Sequence, residues 1–533
     1  MNKKDIFYIT TPIYYTNWIP HIGHAYSSII ADTIARYQKI NWKQTKFSTW
    51  VDENSQKAVT AATDLWMETM PYLDMMSEKH KAVWDGLKIN YTDFIRTTEK
   101  RHHDFVKTVL QTSFDKWDIY QGEYEWMYCV WCEWFKKDED LVYMSKETGK
   151  TFPISDKVKV NENIIKVCPD HLKTPDLIKE KNYFFKLSAY EDKLLKYYEE
   201  NPEFVIPNDR FNEVKAFVKR GLEDFSISRE TNKFGIQLPF DELQVTYVWY
   251  DALFNYLTVC NENDKWQDDM NFWPADLHVV WKDIIRFHAI YWPAMLMSAW
   301  YELPKQVLTT GFMTVDWQKM SKSLWNVIDP VKYSEEYSKD MMSLYLLTAF
   351  NIGQDWNFDH KEAILTYNAK LANNLWNLVN RVVVLTLKLD LENWLNWNMD
   401  LEIQSILNKY ISDFNTSISS YNLKDSIDST FVFLDVLNKY VDTKEPWSLI
   451  KDENKKIEVI DIFYTISEWL RQVWLNLYSF FPEKMWEMFN KLGLENYVEK
   501  LESWKLEELR DKGEVFMIKE KGNPLFERFE IEK

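Results

Sequence analysis

The sequence predicts an α/β domain in two halves, split by an insertion and followed by an all-α bundle. Two strand–loop–helix units and one change of periodicity carry that prediction. Ile6 to Thr11 is an apolar, β-rich run of strand length, and from Gly23 to Ile40 apolar residues recur at helical spacing. The second unit begins with a strand at Leu277–Val280, continues into a helix from about Asp283 to Met297, and closes with a strand at Gln306–Thr309. Between the units, residues 116–225 hold Cys129, Cys132 and Cys168 with a Lys-rich stretch, and read as the insertion. From about residue 356, Leu365, Ala369, Ala372, Leu375, Val379 and Val382 recur three or four apart, the stripe of a helix packed on one face. The expected boundaries are 1–115 and 226–325 for the two halves, 116–225 for the insertion, 326–355 for a connector and 356–533 for the bundle. No internal repeat or low-complexity linker separates them.

Composition sets the class. The chain has 533 residues, 46% of them hydrophobic, enough for several cores and about three or four domains. Aromatic residues at 16% exclude wholesale disorder, and no apolar run reaches the roughly 18 residues of a membrane span. The N-terminus shows neither a sustained apolar core nor a small-residue cleavage site, so a cytoplasmic protein is expected. A net charge of −18 excludes broad coating of nucleic acid, which needs clustered Lys and Arg, so any such contact is local. Four cysteines are too few for a disulfide framework.

One pair of counts is unusual. Gly supplies 11 residues and Trp 26. Together they reach the share that Gly alone usually takes, about 7%. Trp also stands where turn-forming neighbours ask for Gly, as in Asn17-Trp18, Lys116-Trp117-Asp118 and Asp316-Trp317-Gln318. Many of these residues read as glycines of the living protein, written as Trp when a reassigned stop codon is translated with the wrong table.

Two short motifs carry chemistry. His21-Ile22-Gly23-His24 falls between the first strand and the first helix, where amide N–H groups and the positive end of the helix dipole attract phosphate. Two histidines three apart share a face of the first turn, and Gly23 lets a flat ring approach the backbone. Alone, they would read as capping or core histidines. Lys319-Met320-Ser321-Lys322-Ser323 follows the second α/β unit and offers two cations to a polyphosphate, or by itself a solvated basic loop. Cys129-x-x-Cys132 and Cys168-x-x-His171 supply three thiolates and one imidazole, a closed tetrahedral set suited to structural Zn²⁺. Cys260, in an apolar segment, reads as core.

In this order and on this scaffold, the His21–His24 and Lys319–Ser323 motifs resemble the signature of the class I aminoacyl-tRNA synthetases. Along nearly the whole chain the sequence is similar to the methionyl-tRNA synthetase family. The match runs through Thr10–Tyr15, Asp52-Glu53, Ile227–Arg229, Tyr247–Ala252, Lys282–Ile284, Phe287-His288 and Trp292–Met295. The resemblance implies a Rossmann-like parallel sheet split by the zinc-binding insertion, followed by an α-helical anticodon-binding bundle. It implies a methionine pocket of Ile13, Tyr15, Trp249, Ala252, Leu253, Tyr256, Ile284 and His288, with Asp52 holding the substrate ammonium. A thioether suits aromatic and aliphatic walls, and a buried ammonium needs a carboxylate.

For ATP, the resemblance implies His21, Gly23, His24, Asp283, Lys319 and Lys322, with Arg229 assisting and Mg²⁺ bridging phosphate oxygens. His21, His24, Lys319, Lys322 and Arg229 would stabilise the charge that develops as the methionine carboxylate attacks the α-phosphate. The adenylate would then pass to the 3′ end of tRNA(Met). In the bundle, Asn377 and Arg381 lie four apart on one helical face and Trp447 offers a stacking surface, and the resemblance makes all three anticodon readers. Gly522–Phe526 looks like the end of the family core with no appended domain, so a monomer is expected.

Departures from the family concentrate in one substitution. Trp stands at family glycine positions 18, 50, 117, 126, 281, 300, 317, 325, 356 and 376, and Asn54-Ser55 replaces the usual His-Gly. Trp281 falls where the family has bare backbone beside the ATP ribose. Taken literally, these residues imply the alternative reading, an inactive tRNA-binding paralogue.

Overall fold

The computed structural model describes residues 6–129, 134–136, 138–156, 161–169, 172–230, 234–261, 272–320, 326–389, 399–400, 404–494, 497–511, 514–518 and 523–531. Its centre is a parallel sheet of seven strands: β1 (Ile6–Thr10), β2 (Tyr14–Tyr15), β3 (Gln44–Asp52), β4 (Asp93–Arg96), β5 (Val205–Ile206), β6 (Leu277–Trp281) and β7 (Val307–Thr310). The order is β5-β7-β6-β1-β3-β2, with β4 also paired to β3. β1 explains why the sheet is buried on both faces. Phe7 and Ile9 enter one hydrophobic cluster while Tyr8, pointing the other way, enters the second.

Helix α1 (Ile22–Ile40) follows β1 after the short strand β2, whose Tyr14 hydroxyl lies 3.1 Å from Ser27 Oγ and 2.8 Å from Ser28 Oγ. The helix expected from Asp283 is there in three styles: a 3₁₀ turn at Lys282–Ile284, a widened π turn at Phe287–Tyr291 and an α-helix at Trp292–Ser298. Pro293 has no amide hydrogen to bond backward, and it sits in the first turn of that last segment, where none is required.

Within residues 116–225, Ile119–Cys129 pairs antiparallel with Asp176–Phe185, and Val142–Ser145 is flanked by Thr151–Pro153 and Ile164–Val167. Val205–Ile206 from the same span forms the edge of the main sheet against β7. The bundle expected from 356 begins instead with a strand, Trp356–Phe358, paired to Met313–Val315; after it the described residues are mainly helical, with α2 (Asn377–Thr386), α3 (Gln404–Ser419), α4 (Leu423–Lys444) and α5 (Lys456–Leu477). The stripe expected there needs correction. Leu365 and Ala369 face solvent, while Ala363, Ile364, Tyr367, Leu371 and Leu375 are buried. The π-helical stretch Asn368–Trp376 takes more residues per turn and moves the buried face.

The bundle and one face of the sheet share a single core, which runs from Phe7 and Ile9 through Leu347 and Leu434 to Phe526. Helix α1 is part of that join. At its C-terminal end Tyr37 lies 6.3 Å from Phe414 of α3, ring centre to ring centre, and its hydroxyl donates to Asn415 Oδ1 at 3.4 Å. Among the described residues, no helix is long and apolar enough to cross a membrane.

Candidate active site

In an open α/β sheet, ligands bind beyond the carboxyl ends of the strands where the order reverses, because the connections leave there in opposite directions and open a crevice. Here that crevice lies between β1 and β6. Thr10, at the end of β1, pairs in register with His278 of β6, and Thr10 Oγ1 lies 2.8 Å from His278 Nδ1. Trp292 Nε1 donates to His278 Nε2 at 3.3 Å. Burial holds His278 well below the usual imidazole range, so its neutral ring donates from Nδ1 to Thr10.

His21 and His24 frame the mouth of the crevice. His21 caps α1, its Nδ1 accepting from the Gly23 amide at 3.1 Å, while the His21 amide donates to His24 Nδ1 at 3.2 Å. The two rings lie 4.0 Å apart. Burial, then His21 and then His80, keep His24 well below the usual imidazole range, so its Nε2 carries the hydrogen and is the donor available to a ligand. Gly23 is required by its neighbours: a Cβ there would stand 2.9 Å from His21 Cε1 and 3.1 Å from Met320 Cε. That second contact brings the two signature motifs together. The Ile22 amide also donates to Ile328 O at 3.0 Å, which ties the start of α1 to the segment after the loop. The Lys319 backbone pairs with Thr314 in a hairpin, whereas its side chain, Lys322 and Trp325 lie outside the described residues.

The residues expected to hold methionine converge on the opposite face of β1. Ile13, Trp249, Ala252, Leu253, Tyr256 and Ile284 are buried in one cluster, against which Tyr15 packs. The Trp249 ring stacks on Phe287 at 3.7 Å and meets Tyr15 edge-on at 6.5 Å. His288 is fully buried, its Nδ1 donating to Ile284 O at 3.0 Å and its Nε2 accepting from the Tyr256 hydroxyl at 2.8 Å. Burial pushes its pKa down to about 4. Asp52, buried at the end of β3, pairs in register with Tyr15, so carboxylate and aromatic wall share one strand end.

Arg229 is buried, its guanidinium 4.3 Å from the Tyr128 ring and 4.8 Å from the Tyr247 ring. Asp283 is exposed on the 3₁₀ turn after β6. Cys129 and Cys168 are both buried, while Cys132 and His171 lie outside the described residues. Around Cys168 the chain makes a tight turn, with Leu172 N donating to Cys168 O at 2.8 Å and Cys168 N to Lys173 O at 2.9 Å. In the bundle, Arg381 on α2 lies 5.2 Å from the Trp447 ring and donates to Asp442 Oδ1 at 2.6 Å, and Asn377 is exposed one helical turn earlier.

Sequence reasoning missed several supports. Asn54, the departure from the usual His, donates to Asp251 Oδ2 at 3.0 Å and to Thr97 O at 3.1 Å, and Ser55 caps the helix Gln56–Asp64 through the Ala58 amide. Phe287, named only within a matching block, stacks on Trp249. His278 did leave one, a lone imidazole inside a strand that is otherwise apolar. A cavity of about 600 Å³ lined by Ile6, Trp273, Met297 and Lys305 opens at the amino-terminal end of the sheet and takes no part in this site.

A parallel sheet with histidines at its switch point and a lysine-bearing hairpin over them defines a class I tRNA synthetase. The chain matches the family described as tRNA synthetases class I (M) over residues 7–383, and it belongs to that family. Within it, the chain is a member of the methionine–tRNA ligases. It is 38% identical to the methionine–tRNA ligase of Fusobacterium nucleatum over 99% of this chain and 81% of that protein. It is 36% identical to that of Bacillus subtilis over 100% of this chain and 79% of that one. Methionyl-tRNA synthetase of Mycobacterium tuberculosis in complex with methionyl-adenylate superposes with a TM-score of 0.89 at 31% identity, covering 98% of this chain and 100% of that one.

Proposed function

We propose that the protein activates methionine with ATP and transfers it to tRNA(Met) in two steps. The observation that carries this reading is the approach of Met320 to Gly23, because it brings the end of the lysine-bearing hairpin to the histidine pair, with the buried cluster of Trp249, Tyr256 and His288 on the other face of β1. The carboxylate of methionine, held at its ammonium by Asp52, attacks the α-phosphate and pyrophosphate leaves. His24 donates from Nε2 to the phosphates, and His21, Lys319 and Lys322 add donors to oxygens that gain charge in the transition state. Arg229 holds its guanidinium between two rings and assists from the side, while Gly23 and Asp283 bound the ATP site. A terminal ribose hydroxyl of the tRNA, the 2′-OH by family resemblance, then attacks the adenylate carbonyl and AMP departs.

Mg²⁺ bound with ATP would neutralise phosphate charge. Zn²⁺ would be held by Cys129, Cys132, Cys168 and His171 as a structural clamp of the insertion within 116–225; the buried thiols and the turn at Cys168 support that reading. Residues 1–115 and 226–325 would form the catalytic halves, 326–355 the connector and 356–533 the anticodon-binding bundle, where Asn377, Arg381 and Trp447 read bases. A monomer working in the cytoplasm completes the proposal.

Methionine-dependent exchange of pyrophosphate into ATP, run across an amino-acid panel, tests it. Exchange with methionine alone is expected; exchange with an aliphatic amino acid or cysteine instead would overturn the substrate. A second reading, a tRNA-binding paralogue without synthetic activity, rests on the Trp281 ring beside His24 and predicts tRNA binding with no exchange.

A further inference from the structure

Among the described residues, ten that are not glycine have φ in the left-handed region, and five of these are tryptophan: Trp42 (+65°), Trp66 (+55°), Trp117 (+64°), Trp300 (+65°) and Trp317 (+58°). Trp is only 26 of the 533 residues, so the concentration is far above its share. A β-carbon in that region crowds the neighbouring carbonyl, which is why a bulky residue there is an outlier and glycine the usual occupant.

Four of the five occupy one kind of position. Each follows the C-cap of a helix, where a left-handed residue lets the chain turn back and satisfy the last carbonyls. After α1, Trp42 N donates to Lys39 O at 3.0 Å and Lys43 N to Gln38 O at 3.1 Å. After Gln56–Asp64, Trp66 N donates to Thr63 O and Met67 N to Ala62 O, both at 3.0 Å. After Lys100–Asp115, Trp117 N donates to Phe114 O at 2.9 Å and Asp118 N to Ser113 O at 3.1 Å. After Trp292–Ser298, Tyr301 N donates to Leu296 O at 3.0 Å. The same pattern closes at Gly493, where Gly493 N donates to Asn490 O at 2.9 Å and Leu494 N to Phe489 O at 2.9 Å.

The fifth sits in the two-residue turn Asp316-Trp317 between Met313–Val315 and Gln318–Lys319, with Val315 paired to Gln318. Both turn residues have φ above zero, the type I′ geometry that selects Asp-Gly or Asn-Gly. This turn carries the hairpin that delivers Lys319. Burial offers no compensation, because Trp66, Trp117, Trp300 and Trp317 are 97%, 78%, 78% and 79% exposed.

Trp281 is a different case, because its backbone is extended and accepts any residue, and the conflict lies in where its ring stands. It ends β6 at the switch point, with its ring 5.3 Å from His24 and 5.7 Å from Tyr14, and it packs against both hydrophobic clusters. The indole stands where a nucleotide would meet His24.

We propose that the chain made in its own cells carries glycine at positions 42, 66, 117, 300 and 317 and at 281, and that glycine at 281 opens the nucleotide cleft. The functional half rests on the synthetase reading above; the glycine assignment does not. Trp273 is the internal contrast, since it is buried and its Nε1 donates to Glu302 O at 2.9 Å, and it stays tryptophan.

The first test is tandem mass spectrometry of tryptic peptides from the protein purified from its source cells. Peptide 306–319 should carry glycine at 317, and peptide 266–282 glycine at 281 with tryptophan at 273. Tryptophan at 317 overturns the proposal, and tryptophan at 281 beside glycine at 317 overturns its functional half. The second test uses recombinant full-length chain. Replacing all five left-handed tryptophans by glycine should raise the melting temperature by a few degrees, and a lower one counts against the assignment. Trp281→Gly should strengthen binding of ATP with Mg²⁺ at least tenfold by calorimetry, and equal binding by the chain as written counts against the cleft. Glycine in the native peptides with no methionine-dependent exchange would fail the synthetase reading alone and leave the glycine assignment standing.

Discussion

The Tyr256 hydroxyl donates to His288 Nε2 at 2.8 Å, and this bond keeps the floor of the proposed methionine pocket neutral. His288 spends its Nδ1 hydrogen on Ile284 O, so it meets Tyr256 only as an acceptor, and a proton at Nε2 would set two donors face to face. A neutral floor suits a thioether and rejects a charged side chain. Tyr256→Phe, made in a Trp281→Gly background, leaves a buried acceptor unsatisfied at a cost of about 1–3 kcal/mol. Steady-state exchange should show the methionine KM rising about tenfold with little change in kcat. An unchanged KM would remove Tyr256 from the pocket.

Acid sensitivity follows from the buried imidazoles. Burial lowers His80 to about 4, His102 to about 3 and His288 to about 4, all from 6.5. Unfolded imidazoles take protons below pH 6.5 while these do not, so the unfolded state gains relative to the folded one as pH falls. The stability is fully present above about pH 6.5 and is lost on the way down toward pH 4, at about 1.4 kcal/mol per pH unit for each imidazole. Urea midpoints at pH 7.5 and pH 5 should differ clearly, with the lower value at pH 5.

His24 bonds through Nδ1 to the His21 amide and leaves Nε2 for the phosphates. His24→Asn in the Trp281→Gly background should cut adenylate formation about 10²-fold or more. Methionine affinity, measured by equilibrium binding, should hold. Equal losses in both would mean that His24 shapes the pocket instead of stabilising the transition state.

Much of this was legible in the sequence, for reasons that differ by element. β1 follows from a short continuous apolar run, the mark of a strand buried on both faces, and α1 from period 3.6. The crevice follows from the position of His21–His24 between them. Asp52, Trp249 and His288 are far apart in sequence and were named together only through family resemblance, since no local pattern links them. Val205–Ile206 is too short to leave a periodicity. The stripe at Leu365 and Ala369 misled because a π-helical stretch breaks the 3.6 count.

The bundle offers a separable readout. Arg381→Ala or Trp447→Ala removes a stacked pair, and base stacking on such a surface is worth about 1–3 kcal/mol. The KM for tRNA should rise about tenfold or more while pyrophosphate exchange without tRNA stays unchanged. A parallel fall in exchange would place these residues in the fold and not at the anticodon.

Metal content gives a direct check on the insertion. One zinc per chain is expected by plasma mass spectrometry, falling on Cys168→Ser. Chelation should lower the melting temperature, and a chain that holds no zinc as purified would discard the four-ligand assignment.

Helix α1 has one end at His21 and His24 and the other, through Tyr37, against Phe414 and Asn415 of the bundle. At 1.5 Å per residue its 19 residues make a strut of about 28 Å. The distance from these two histidines to the bundle is therefore set by a rigid rod instead of a tether. A bundle that tilts on Tyr37 takes the histidines with it, so in the proposed complex the two ends of a tRNA would be gauged by one ruler.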